Sequence, residues 1–189
     1  QQKPDHAWNA ALDAQACLEN ITGMKRKVEM TWVVAQMCHE IQRANEGVRL
    51  LKVVLQKLTS EEQVQQKACF LRRLGELCLK EGLASDAEKY YQQALQVIDD
   101  HLKNDEHVLH VNCIIGFSKA IIMETQRVRE VKFNLNQAFI LTKNLPGSGK
   151  KCFFLKEIGK LYETLGEISR ARPCYEKALQ TCKEEMDPS

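Results

Sequence analysis

Apolar residues recur every three to four positions from one end of the chain to the other, and no stretch alternates apolar with polar as a strand would. The pattern predicts an all-α chain of about nine helices, one leading helix followed by four antiparallel pairs. The leading helix is expected from about Pro4 to Glu19, with a break at Asn20 to Gly23. The second is expected from Lys25 to Arg43, with Met30, Val33, Met37 and Ile41 on one face. Its partner runs from Gly47 to Leu58 and repeats Val48, Leu51 and Leu55 at helical spacing.

Thr59-Ser60 with Gln63, and Ser85 with Glu88, have the spacing of capping boxes and are read as two helix starts. The first opens a helix with the stripe Phe70, Leu71, Leu74, Leu77 and Cys78, ending near Gly82. The second opens one that reaches about His101, and a bend at Lys103-Asn104-Asp105 follows. Further helices are expected over Glu106–Thr125, Arg127–Lys143, Lys151–Leu165 and Ser169–Glu184, with a loop at Pro146-Gly147-Ser148-Gly149. The leading segment is thus 1–24, and the pairs span about 25–58, 60–101, 105–143 and 150–184 within 25–189.

Two of these pairs repeat each other. Leu74-Gly75, Gly82, Ala87, Tyr91 and Ala94 match Ile158-Gly159, Gly166, Ala171, Tyr175 and Ala178, with landmarks 7, 12, 16 and 19 residues after the first glycine in both. Self-similarity of this kind marks a tandem array, an architecture that exposes a long surface for binding.

The composition leaves few other classes open. Lys plus Arg total 27 against 25 Asp plus Glu, a formal charge of +2, which disfavours a general nucleic-acid binder. The run Lys25-Arg26-Lys27 is read as a solvated helix end, and a nucleic-acid-associated role through it and Lys150-Lys151 is the weakest alternative, one that predicts binding lost with salt. No apolar run is long enough for a membrane span. The eight cysteines include no C-x-x-C pair and several fall on apolar faces, so free thiols in a reducing compartment are expected. That places the chain inside the cell, with the cytoplasm favoured over the nucleus. Gln1 opens it, and the expectation is a segment of a larger protein.

Small residues at the helix crossings give the chain its resemblance to the tetratricopeptide repeat family. Gly75 with Ala87, and Gly159 with Ala171, would allow close approach, while Tyr91 and Tyr175 fill the space against the next helix. Ile115-Gly116 and Ala138 keep the same phase in a middle repeat with about three extra residues around Thr125 to Arg129. In the first pair Trp32 is set at the aromatic position, Gln36 at the glycine and Val48 at the alanine. The repeat spacings of 41 and 43 residues exceed the usual ~34 and are similar to the long-helix variety in kinesin light chains.

The resemblance implies a right-handed superhelix whose first helices line a concave groove. Carried over, the lining would be Met30, Val33, Met37 and Ile41, then Cys69, Arg72, Glu76 and Lys80, then His110, Cys113, Phe117 and Ile121, then Phe153, Lys156 and Lys160. It implies a protein partner, a helical or extended segment with an apolar face and acidic flanks. The family's carboxylate clamp for chaperone tails is missing, since Val33, Met37 and Cys113 stand where polar groups would be needed. The alternative is a structural or regulatory segment that fills its groove in cis and self-associates.

Enzymatic readings are weak. Asn144 to Lys151 half-matches a phosphate-binding loop but lacks its first glycine, its closing hydroxyl and a preceding strand. His107, His110 and Cys113 drift around a helix without acidic partners, so no metal site is assigned. Cys38 and His39 are adjacent and point apart. No catalytic residue, cofactor or enzymatic activity is therefore expected.

Overall fold

Three helices of the chain end on the same backbone device, and that device sets the register of the repeats. The computed structural model describes residues 3–58, 63–102, 107–124 and 127–186, with side chains placed from 8 to 183. Among them are α1 (Lys3–Glu19), α2 (Met24–Glu40), α3 (Ala44–Leu55), α4 (Val64–Lys80) and α5 (Ala84–Val97). A π-helical segment, Ile98–Leu102, prolongs α5; α6 (His107–Glu124), α7 (Val128–Thr142), α8 (Ser148–Thr164) and α9 (Ile168–Met186) follow. The chain is an all-α tandem of helix pairs, as its periodicity predicts.

At the end of α4, Gly82 N–H donates to Leu79 O and Leu83 N–H to Cys78 O, and Gly82 sits at φ +72°. At the end of α8, Gly166 and Glu167 make the same two bonds to Glu163 O and Tyr162 O, again with φ +72°. This is the Schellman arrangement, which satisfies the last free carbonyls of a helix through one left-handed residue. At the end of α2 the left-handed residue is Gln42, φ +61°, with Gln42 N–H to His39 O and Arg43 N–H to Cys38 O. The turn leaves Leu83 as the N-cap of α5, with no side-chain cap bond. Ser85 therefore lies inside the helix, and the Ser85–Glu88 capping box expected from sequence is not formed. The Thr59-Ser60 start and the Lys103-Asn104-Asp105 bend fall outside the described residues.

Aligning Gln42, Gly82 and Gly166 corrects the first pair by one residue. Ala35, not Gln36, shares the position of Gly75 and Gly159, and Gly47, not Val48, that of Ala87 and Ala171. The packing agrees: Ala35 is fully buried, and a Cβ on Gly47 would lie 2.8 Å from Ala35 O. Thr31, rather than Trp32, takes the buried site of Leu71 and Leu155, and its hydroxyl donates to Lys27 O at 2.7 Å. Trp32 is half-buried beneath the Arg73 guanidinium, 5.4 Å from the ring centroid.

Each first helix packs on its partner, on the next pair, and beside the first helices of neighbouring pairs: α2 beside α4, α4 beside α6, α6 beside α8. The second helices make no comparable contact with one another. A stack whose first helices are closer than its second helices curves toward the former, so α2, α4, α6 and α8 form the inner row. Helix α1 packs on α2, burying Ala11 and Leu18 with Val34, Cys38 and Leu50, in the place a preceding second helix would take. Cys152 and Cys182 are joined across α8 and α9, with Cα atoms 6.5 Å apart. This corrects the expectation that every thiol is free.

Candidate functional site: a cavity in the inner row

A cavity of about 410 Å³ opens among the inner helices. Helix α4 contributes Arg72, Glu76, Leu79 and Lys80; α6 contributes Asn112, Ile115, Gly116 and Lys119; α8 contributes Phe153, Phe154 and Glu157; Tyr91 reaches in from α5. Four residues singled out by sequence, Arg72, Glu76, Lys80 and Phe153, therefore meet at one place. Phe153 is 55% exposed and meets Phe154 edge to face, with ring centroids 5.3 Å apart.

The charges of this cavity are mutually satisfied. Arg72 Nη1 donates to Glu76 Oε2 at 2.9 Å, and Lys80 Nζ lies 3.6 Å from Glu76 Oε1. Lys119 Nζ donates to Glu157 Oε2 at 2.8 Å and Lys160 Nζ to Glu157 Oε1 at 2.9 Å. Burial alone would raise the Glu157 carboxyl, but these lysine hydrogen bonds outweigh it and hold the group below its usual value. Asn112 Nδ2 is turned back to Val108 O at 3.0 Å.

The remaining groove candidates lie elsewhere. Phe117 is 9% exposed and Ile121 fully buried, so both serve the core. Cys113 is likewise sealed, and burial pushes its thiol up to about 12. Helix α6 is apolar almost all round and is covered by α4, α5, α7 and α8. Only its polar positions, Asn112 and Lys119, mark the strip left at the cavity, one residue away in phase from Cys113 and Phe117. His110 faces a separate cavity of about 270 Å³ with Asp99, Gln137 and Ile140; burial lowers its imidazole while Asp99 opposes the shift.

On α2, Met30 and Val33 are exposed, at 43% and 46%, and Met37 and the C-cap residue Ile41 half-buried. In the corrected register they share the positions of Phe70, Arg73, Leu77 and Glu81, on the side facing a preceding pair. The inner position on α2 corresponding to Arg72 is Trp32, which the sequence pattern assigns to packing. Lys156 and Lys160 are exposed on α8 outside the cavity wall.

Among the described residues no group of three or more His, Cys, Asp and Glu is placed to hold a metal ion, and no helix is long and apolar enough to cross a membrane. The Pro146–Gly149 loop follows helix α7 rather than a strand, and Gly147, φ +76°, is the N-cap residue of α8.

A tetratricopeptide repeat model matches residues 157–184. Among solved structures, BtubC (BKLC) from P. vanneervenii superposes with a TM-score of 0.71 at 13% identity, covering 97% of this chain and 76% of that one. TPR-like repeats of a Podosopora anserina protein named as a kinesin light chain superpose with a TM-score of 0.70 at 15% identity, covering 100% and 92%. A point variant of the same repeats gives 0.65 at 15%, covering all of both chains. None of the curated proteins matches. Residues 157–184 thus match a tetratricopeptide repeat, and the chain as a whole is a tandem helical-repeat solenoid similar in fold to kinesin light chain repeats.

Proposed function

We propose that the protein is a protein–protein interaction module, a scaffold or adaptor segment that holds a partner segment along its inner row. The observation that carries this reading is the open cavity among α4, α6 and α8, with Phe153 presented at its wall beside paired charges of both signs. A partner side chain would bury against Phe153, Phe154, Leu79 and Ile115, and its polar flanks would exchange with the Arg72–Glu76–Lys80 and Lys119–Glu157 pairs. Because each cation there already faces a carboxylate, flanks of mixed charge suit the cavity better than uniformly acidic ones. The reading includes no catalysis and no cofactor.

The test is selection of peptides from a random display library on the immobilised protein, followed by affinity measurement. Selected peptides should lose at least about tenfold in affinity to Phe153→Glu, about 1.4 kcal/mol. Val53→Glu, on the exposed side of α3, should bind them normally. If both variants bind alike, the inner-row assignment is wrong.

A second reading has its own support. Met30 and Val33 lie exposed at positions whose equivalents in the next pair include the fully buried Phe70. Stacking of two copies through α2 would cover them. Sedimentation that stays monomeric at all concentrations rules this reading out.

A further inference from the structure

We propose a second binding site on the outer face, a basic crevice between α7 and α9 that takes an acidic peptide segment carrying apolar side chains. The two second helices barely touch each other, and α8 forms the floor between them. The gap holds two cavities of about 550 and 540 Å³ that lie next to one another, with Phe139 lining both. Each has the size of a small-ligand or side-chain pocket.

The charge in this crevice is one-sided. At one end Lys143 of α7, Lys151 of α8 and Lys177 of α9 converge over Phe139 and Leu155. Among the described residues no carboxylate lines either cavity. Among the described residues none of the three ammoniums has an ion-pair partner: Lys143 Nζ sits 5.6 Å from the Phe139 ring centroid, and Lys177 Nζ donates to Gln180 Oε1 at 3.2 Å. Like charges gathered from three helices repel one another, and an anionic occupant offsets that repulsion. The inner cavity differs, since each of its cations is already neutralised.

The other end favours a peptide over a phosphate. Phe133, 61% exposed, and Pro173 offer apolar contact there, and Lys132 and Arg170 are occupied by Glu167. Pro173, which has no N–H to donate, stands inside α9 at the crevice wall. The cations at the first end are lysines, which act as point charges and lack the fork that grips phosphate bidentately. Alternating carboxylates and apolar side chains meet both ends at once.

The test uses a short fluorescein-labelled peptide of repeating Asp-Glu-Leu-Phe, its Lys-Lys-Leu-Phe counterpart, inorganic phosphate and phosphatidylserine vesicles. The acidic peptide should bind the wild-type protein and weaken as salt rises. The triple variant Lys143→Gln, Lys151→Gln, Lys177→Gln should bind it about tenfold more weakly, about 1.4 kcal/mol across three partly exposed pairs. Phe153→Ala should leave this affinity unchanged, which separates the site from the inner cavity. Equal binding of the basic peptide overturns the proposal, as does unchanged affinity in the triple variant. An equal loss in Phe153→Ala, or binding to vesicles or phosphate with none to the peptide, overturns it as well.

Discussion

Gly116 of α6 lies so close to Tyr91 of α5 that a Cβ built on it would fall 2.2 Å from the Tyr91 Cζ. The other edge of the same ring faces Gly75 of α4, where a Cβ would come within 2.7 Å. One aromatic side chain thus fills the space between the second and third pairs, and two missing methyl groups make room for it. The junction borders the inner cavity, which Tyr91 and Gly116 both line.

Gly116→Ala should therefore destabilise the fold even though alanine is the better helix former by about 1 kcal/mol. Overpacking costs of about 1–3 kcal/mol apply, because the obstacle is a ring hemmed in at both edges. Tyr91→Leu, the residue found at the equivalent position 135, should recover part of the loss in the double variant. Urea unfolding of the four proteins checks this; additive effects would mean that the two residues do not share the space.

Gln42→Gly should raise stability by about 1 kcal/mol, since Gln42 occupies the left-handed conformation that glycine adopts at Gly82 and Gly166. Gly82→Ala should lower it by a similar amount, although nothing lies within 4 Å of a Cβ there. The cost is purely conformational, so thermal midpoints should move in opposite directions with no change in fold.

These two sites show what sequence can and cannot reveal. Helix number and the phase of the second and fourth pairs are legible because Gly75, Gly82, Ala87, Tyr91 and their partners are recognisable side chains at fixed spacing. The first pair slips by one residue because its left-handed turn is made by Gln42, which carries no glycine signal. That slip turns Met30, Val33, Met37 and Ile41 toward the wrong face, as one residue rotates a helix by about 100°. On α6 the apolar residues surround the helix, so no stripe identifies its inner face, and periodicity sets Phe117 and Ile121 in the groove although they are core. The outer crevice has no linear signature, since Lys143, Lys151 and Lys177 come from three helices.

Thiol reactivity should follow burial. Cys17 is exposed, whereas burial raises Cys78 and Cys174 to about 11 and Cys113 to about 12. Alkylation near neutral pH should modify exposed Cys17 first and the other three at least about a hundredfold more slowly, limited by opening of the fold. Mass spectrometry over time reads each site; early labelling of Cys113 would contradict the packing of α6.

Acid should loosen the inner row. The folded Glu157 carboxyl titrates below its ordinary 4.5, so its stabilising bonds to Lys119 and Lys160 are fully present above that value and are lost as pH falls through the lower folded one. Glu157→Gln should remove this part of the pH dependence, leaving a flatter stability curve between about pH 5 and pH 3. Urea midpoints measured across that range test the sign directly, and an unchanged slope in the variant would assign the acid sensitivity to other carboxylates.

The central claim, that partners lie along the inner row, is tested most directly by site-specific photo-crosslinking in cells. A benzophenone amino acid would replace Phe153 at the cavity or, separately, Val53 on the exposed side of α3. Discrete adducts from position 153 with none from position 53 are the predicted result. Adducts from position 53 alone would contradict it and move the binding surface to the outside of the solenoid.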